Sequence, residues 1–349
     1  MRISYYRRMI TEDSVGIGVI GLGFMGRTHI SAYASISKCR LVAVADHDVS
    51  RHTGCASPDG NIETSESEII FDPKQINVYK NAIDVIQHSN VDLVSITTPT
   101  PTHTELAQCA IENGRHVIIE KPVSLNRKEI QSLANTARDA GVLVMPAHCM
   151  RFWPAWVWMK KAVSNNEYGK VLSASFIRTG AAPSWNPDFY LDDDRSGGAL
   201  VDLHIHDVDF ILHLFGMPQS VRSSGTRRHV NTEYDFGRGG PKVRAEGGWL
   251  NDPNAPFTMR CTIECERSTI DFDLGRDPEV QVKYTDGSVN AHPEASEGGT
   301  GYGGELNAMI DAIRSGASVP PVTLADAEEG MSIIEAELRS LDLDKRITL

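Results

Sequence analysis

The tightest constraint on this chain is the run Gly21-Leu22-Gly23-Phe24-Met25-Gly26, which follows directly on the apolar stretch Val15–Ile20. Three glycines at this spacing are a weak signal alone. Between a buried-type strand and a helix-competent stretch at 27–36 they take on separate tasks. The first permits a tight turn, the second lets a pyrophosphate approach the backbone, and the third lets helix and strand pack closely. The helix N-terminus then offers N–H groups and the positive end of its dipole to phosphate. Asp46 closes the next apolar run, 41–45. A carboxylate there accepts hydrogen bonds from ribose hydroxyls and repels a 2′-phosphate, so the reading is NAD, with NADP less favoured. His47 and Arg51 are the nearest cationic side chains after it. A glycine turn without a ligand leaves this concurrence of strand, glycines, helix and acid unexplained.

The first third of the chain keeps alternating. Apolar runs at 91–96, 117–119 and 142–145 are separated by helical stretches at 105–113 and 127–140, closed by Gly114 and Gly141. Strand, helix, strand in this rhythm predicts α/β structure with a doubly wound parallel sheet. Residues 53–74 are polar and read as a surface excursion. After Trp153 the rhythm changes to a helix, a strand at 171–178 and a long helical stretch at 197–215. From 220 to 289 the chain alternates with period two, as in 258–264 and 269–274, which predicts a mostly antiparallel sheet with one face covered. Helices at 305–314 and 324–341 close the chain. The 349 residues suit two domains. The reading is a nucleotide-binding domain over 1–150 and a second, α+β domain over 151–349, whose last helix is a candidate to pack back on the first.

Composition removes several classes of function. Lys and Arg number 34 against 46 Asp and Glu, a net charge of −12, which suits neither nucleic acid nor an anionic membrane. No stretch approaches the roughly 18 apolar residues of a membrane span. Arg7-Arg8 is followed by polar residues rather than an apolar run, so no export signal is read there, and Met9 is a candidate start. Cys39, Cys55, Cys109, Cys149, Cys261 and Cys265 are scattered without a zinc spacing. They read as free thiols of a cytoplasmic protein.

The second half carries Gly197-Gly198-Ala199-Leu200-Val201-Asp202, then His206 and Asp209. On a helix, Asp202 and His206 share a face. Hydride loss from a carbinol carbon to a nicotinamide requires a base for the hydroxyl proton, and imidazole suits that task. A carboxylate one turn away orients the ring. The same run offers Asp202, His204, His206, Asp207, Asp209 and His213 to a metal. That reading needs further ligands from elsewhere and leaves the glycine run idle, so no metal is expected. A helix cap with satisfied core polar groups is the structural alternative.

Further motifs fall in order: Thr98-Pro99-Thr100, His103, His116-Val117 and Glu120-Lys121-Pro122. With the glycine run and the 197–209 segment, they make the chain resemble the Gfo/Idh/MocA oxidoreductase family. The resemblance implies an N-terminal Rossmann domain and a C-terminal α/β domain whose open sheet often packs on another subunit. Together with the need to cover a sheet face, it implies a homodimer or homotetramer. It also implies NAD(P)-dependent oxidation of a secondary alcohol on a sugar, a sugar derivative or a cyclitol. The family's lysine, aspartate and histidine fall on Lys121, Asp202 and His206, and its frequently cis proline falls on Pro122, where it would direct the lysine. His206 is then the general acid/base, Lys121 the group that stabilises an alkoxide, and Asp202 the orienter, with Asp209 in support. The cofactor contacts are expected at Gly21, Gly23, Phe24, Met25, Gly26 and Asp46. Thr97, Thr98, Thr100, His103, Glu120 and Lys121 complete that set. Substrate contacts are expected at Arg151, Trp153, Trp185 and Tyr190 besides Asp202 and His206. The stretch 148–154 departs from the family, with Cys149 where a polar Asn is frequent. A redox-neutral NAD-dependent glycosidase and a non-catalytic dinucleotide or sugar sensor are the competing uses of the same residues.

Overall fold

Residues 14–55, 70–184 and 186–349 are described by a computed structural model. Arg7, Arg8, Met9, most of the 53–74 excursion and Trp185 lie outside the described residues. The chain divides into two compact units, one of Met1–Cys149 with Tyr302–Glu328, the other of Met150–Gly301 with Glu329–Leu349. The return of 302–328 to the first unit is not described by a single cut after residue 150.

In the first unit the strands are β1 (Val15–Ile20), β2 (Cys39–Ala45), β3 (Asn77–Tyr79), β4 (Leu93–Ile96), β5 (His116–Ile119) and β6 (Val144–Pro146). They form a parallel sheet in the order β3-β2-β1-β4-β5-β6. Helices α1 (Phe24–Ala34), α2 (Ala82–Ile86), α3 (His103–Glu112) and α4 (Arg127–Ala140) link them. Every residue of β1 and β4 is buried, as continuous apolar strands of a doubly wound sheet should be. The order reverses between β1 and β4, so the loops after Ile20 and Ile96 flank the crevice at the switch point where ligands bind in such sheets. Gly141 closes α4 in the left-handed conformation at φ 67°.

In the second unit α5 (Pro154–Ser164) precedes β7 (Val171–Ala181), followed by α6 (Pro187–Tyr190), α7 (Asp193–Ser196), α8 (Gly198–Asp202) and α9 (Ile205–Phe215). Next come β8 (Ser220–Thr226), β9 (His229–Asp235), β10 (Lys242–Leu250), β11 (Thr258–Cys265), β12 (Ser268–Asp273), β13 (Val280–Tyr284) and β14 (Val289–Ala291). Helices α10 (Gly301–Arg314) and α11 (Leu324–Leu343) and strand β15 (Ile347–Thr348) end the chain. The sheet order is β14-β13-β12-β11-β7-β10-β9-β8-β15, antiparallel except for β7 beside β10.

Register explains its two faces. Phe272, Cys261, Phe176, Ala245, Thr232 and Ser223 form one row across six strands, and all are buried. Trp156 of α5 packs over this row, with ring centroids 5.5 Å from Phe272 and 4.6 Å from Phe210 of α9. One residue along each strand, Asp271, Thr262, Ser175, Arg244, Glu233 and Arg222 form the opposite row. That face is polar and internally paired: Asp271 binds Arg276 at 3.1 Å and Lys283 at 2.7 Å, and Arg260 binds Asp273 at 2.9 Å. An antiparallel sheet with such a face can stand in water. The need to cover an apolar face therefore gives no reason for self-association.

Candidate active site

The three glycines meet different surroundings. Gly21 takes φ +93°, and a Cβ there would stand 2.8 Å from the Thr97 carbonyl. A Cβ on Gly26 would fall 1.8 Å from the Gly21 carbonyl, so close packing of α1 on β1 requires its absence. Around Gly23 the nearest protein atom to such a carbon is Arg51 Nη1 at 3.8 Å. Among the described residues nothing crowds a Cβ at position 23, so the backbone there is open to close approach. Gly23 caps α1 without a side-chain hydrogen bond, which leaves the helix N-terminus open to a phosphate. The loop fits the pyrophosphate of a dinucleotide.

Asp46 is buried at the end of β2, and its carboxylate organises the loops around it. Oδ2 accepts the Leu22 N–H at 2.7 Å and Oδ1 the Asp48 N–H at 2.9 Å. A 3-10 turn at Val49–Thr53 brings Arg51 back, 3.3 Å from Oδ2, and His47 lies 3.4 Å from Oδ1. Sequence spacing did not reveal that Arg51 reaches both the acid and the glycine loop.

The remaining expected cofactor residues divide between surface and frame. Phe24, Met25 and Thr98 reach solvent, whereas Thr97, Thr100, His103 and Glu120 are buried. Thr97 Oγ1 donates to the Gly21 carbonyl at 2.8 Å and the Ile20 carbonyl at 3.0 Å. The ring nitrogens of His103 lie 2.7 Å from the Thr98 carbonyl and 2.9 Å from that of Pro122. Burial pushes this imidazole below its ordinary pKa, against those two carbonyl bonds. His103 thus clamps the loop after β4 to the cis Lys121-Pro122 peptide, and its ring faces these carbonyls rather than open crevice. Glu120 Oε1 lies 3.1 Å from His29 Nε2, and Oε2 accepts the Lys121 N–H at 3.1 Å. Burial raises the Glu120 carboxyl, but the His29 bond and charge, with Lys121 and His103, outweigh it and leave the pKa low. Its carboxylate braces the lysine's backbone. Lys121 is the one residue of 117–124 that is not buried. His29 itself went unread in the sequence, although it follows Gly26 by three positions on the buried face of α1 with Ile30 and Tyr33.

In the second unit two glycines set the turn into α8. Gly197 and Gly198 have φ 78° and 73°, and a Cβ on Gly197 would lie 2.3 Å from Val201 Cγ2. The expected continuous helix over 197–215 is broken. The His204 N–H turns to the Ala199 carbonyl at 2.9 Å and that of His206 to Leu203 at 3.4 Å, so α8 ends at Asp202 and α9 starts at Ile205. Asp202 and His206 therefore lie on either side of a break rather than on one regular helix. Between Ser196 and Ile211 they are the two residues that are not buried.

Arg151, Trp153 and Tyr190 have neighbours within their own unit. Arg151 sends Nε and Nη2 to Asp209 at 3.0 Å and 2.7 Å, so this guanidinium anchors α9 and Asp209 holds the arginine. Trp153 is half-buried at the start of α5. Tyr190 packs on the cluster of Ala199, Leu203 and Trp249, 6.1 Å from the Trp249 ring. His204 and Asp207, two of the six possible metal ligands, are buried against Glu337 and Arg178. Among the described residues, no group of three or more His, Cys, Asp or Glu side chains is placed to hold a metal.

Residues 15–148 match the NAD-binding Rossmann-fold domain of the oxidoreductase family named GFO/IDH/MocA, and residues 156–289 match a C-terminal domain of that family. The scyllo-inositol 2-dehydrogenase (NAD(+)) of Bacillus subtilis (strain 168) is 30% identical over 285 residues, covering 80% of this chain and 74% of that protein. The scyllo-inositol 2-dehydrogenase (NADP(+)) of the same organism is 24% identical over 368 residues, covering 97% and 96%. The two names carry different nucleotides. Levoglucosan dehydrogenase, solved with NADH and levoglucosan, shares the fold at TM-score 0.79 with 22% identity, over 96% of this chain and 99% of that one. The chain belongs to the Gfo/Idh/MocA family and is an NAD(P)-dependent dehydrogenase acting on CH–OH groups.

Proposed function

We propose that this dehydrogenase oxidises a secondary alcohol of a sugar, a sugar derivative or a cyclitol, with NAD rather than NADP. The observation that carries the assignment of residues is selective exposure. Asp202 and His206 stay reachable in a stretch that is otherwise buried, and Lys121 does so in another. When bound, the nicotinamide accepts the hydride. His206 takes the hydroxyl proton, Asp202 orients its ring, and Lys121 stabilises negative charge on the substrate oxygen. Lys121 is braced for that by Glu120 and His103 through the backbone on either side of it. Asp46 at the end of β2 supports NAD, since a carboxylate there favours a ribose diol over a 2′-phosphate. The names of the inositol and levoglucosan relatives support a polyol substrate. Free thiols at all six cysteines fit a reducing cytoplasm. Assembly as a homodimer or homotetramer belongs to the reading through family resemblance, and a polar sheet face suits a separable contact.

The test is NADH absorbance with NAD and a panel of inositols, aldoses, deoxysugars, anhydrosugars and uronic acids, with and without a chelator. The expected result is a chelator-insensitive rise with one group of polyols. Release of a glycone with no net NADH, or nucleotide binding without any turnover, would overturn the reading.

A further inference from the structure

His206 sits on the first turn of α9, and three side chains within three positions of it run into buried partners on separate elements. His204 is fully buried, with Nε2 3.1 Å from Tyr234 Oη on β9 and 3.4 Å from Glu337 Oε2 on α11. The Tyr234 hydroxyl donates to Glu337 Oε1 at 2.6 Å. Asp207 receives Arg178 of β7 through Nε at 3.0 Å and Nη2 at 2.9 Å. Arg178 in turn lies 5.5 Å over the Trp156 ring. Asp209 receives Arg151 in the same two-pronged way.

At about 100° per residue, Asp207 points about 100° to one side of His206 around the helix axis and Asp209 about 60° to the other. His204 points nearly opposite. The turn is therefore tied on both flanks and behind. Behind it also stands the backbone of β10, where a Cβ on Gly247 would fall 2.6 Å from His204 Nδ1. A roll of 10° would move a side-chain tip lying about 5 Å off the axis by about 0.9 Å. Misplacement of about 1 Å costs on the order of a hundredfold in rate. Buried ion pairs add little net stability over an apolar core, yet each fixes direction through paired hydrogen bonds. Their concentration around one turn answers a need for orientation better than a need for stability.

We propose that His204, Asp207 and Asp209, through Glu337 with Tyr234, Arg178 and Arg151, are positioning residues that lock the rotation of α9 and so hold His206 for proton transfer. The proposal rests on His206 being the acid/base of the function proposed above.

Two probes test it on the full chain. One is steady-state turnover of the panel's best polyol. The other is NMR of histidine-labelled protein, with His206 assigned by loss of its signal in His206→Ala. Glu337→Leu is expected to lower kcat about tenfold or more with KM for NAD within about twofold, and Glu337→Gln to restore most of it. The His206 signal should shift or split in Glu337→Leu, in the milder Tyr234→Phe, and in Gly247→Ala, whose methyl presses directly on the His204 ring and Cβ. Wild-type kcat and an unmoved His206 signal in folded Tyr234→Phe and Gly247→Ala would overturn the proposal. If wild-type protein turns over no polyol, the proposed function fails, and the NMR arm still decides whether the network sets the ring's position.

Discussion

The glycine loop after β1 and the break between α8 and α9 solve the same problem, placing chemistry at a surface, by opposite means. The loop is a backbone device. Gly21 and Gly26 are required by atoms within a few ångströms, whereas at Gly23 the nearest described atom is Arg51 Nη1 at 3.8 Å. The break is a side-chain device, held by Tyr234, Glu337, Arg178 and Arg151 from distant parts of the chain. A site written in backbone conformation leaves a short motif. A site written in long-range ion pairs leaves scattered charged residues, whose partners emerge only on folding.

The contrast can be broken most severely at its reactive groups. Lys121→Ala and His206→Ala should each cut turnover by roughly 10² to 10⁴, with NADH affinity, read by fluorescence titration, within about twofold of wild type. Loss of nucleotide binding in His206→Ala would erase the division of labour. The next test compares two glycines three positions apart. Gly26→Ala should lose about 3 kcal/mol or more of stability in thermal or urea denaturation, because its methyl meets the Gly21 carbonyl. Gly23→Ala should melt like wild type yet bind NAD at least about tenfold more weakly, a difference of about 1.4 kcal/mol. Equal melting of the two would remove the distinction between packing glycine and ligand glycine.

A moderate effect is expected at the acid. Asp46→Ser combined with His47→Arg should move the ratio of kcat/KM for NADP over NAD upward by about tenfold or more. An unchanged ratio would mean that the ribose does not meet this carboxylate. The smallest effect concerns pH and has opposite signs in the two units. Burial holds the His103 pKa below its ordinary 6.5, so its contribution to stability is present above pH 6.5 and is lost as pH falls through the folded value. Burial opposes the charged form of His204 too, but the Glu337 charge and hydrogen bond prevail and raise its pKa. Its contribution is complete below pH 6.5 and is lost as pH rises through the folded value. Hydrogen exchange at about pH 5.5 and about pH 8 should show protection near β4 and β5 falling in acid while protection near α8 and α9 rises. The same trend in both would refute the assignment.

Most of the architecture was legible because apolar period and glycine placement are local. The bounds of α4 and the starts of β1 and β7 followed from them, as did the two-faced sheet, where a one-residue step exchanges the Phe176 row for the Ser175 row. The helix break at Leu203 and His204 was not legible. Every residue from 198 to 215 is compatible with a helix, and the interruption is fixed by His204 turning into the core toward Glu337. Arg151 illustrates the same limit. The family resemblance marks it for substrate, and nothing local announces that tertiary folding also delivers Asp209 to it. The glycine fingerprint and Asp46 are proposed from the apolar strands directly before them, whereas Lys121 enters through the family resemblance. His29 behind Glu120 could not be read, since the two are 91 positions apart.

The return of Tyr302–Glu328 to the first unit has a consequence for the order in which the protein comes into being. A chain emerging from the ribosome presents residues 1–149 first, but that unit lacks its own closing segment until residue 328 has been added. By then residues 150–301 of the other unit have already emerged. The nucleotide-binding unit is begun first, yet its last segment is synthesised only after most of the second unit.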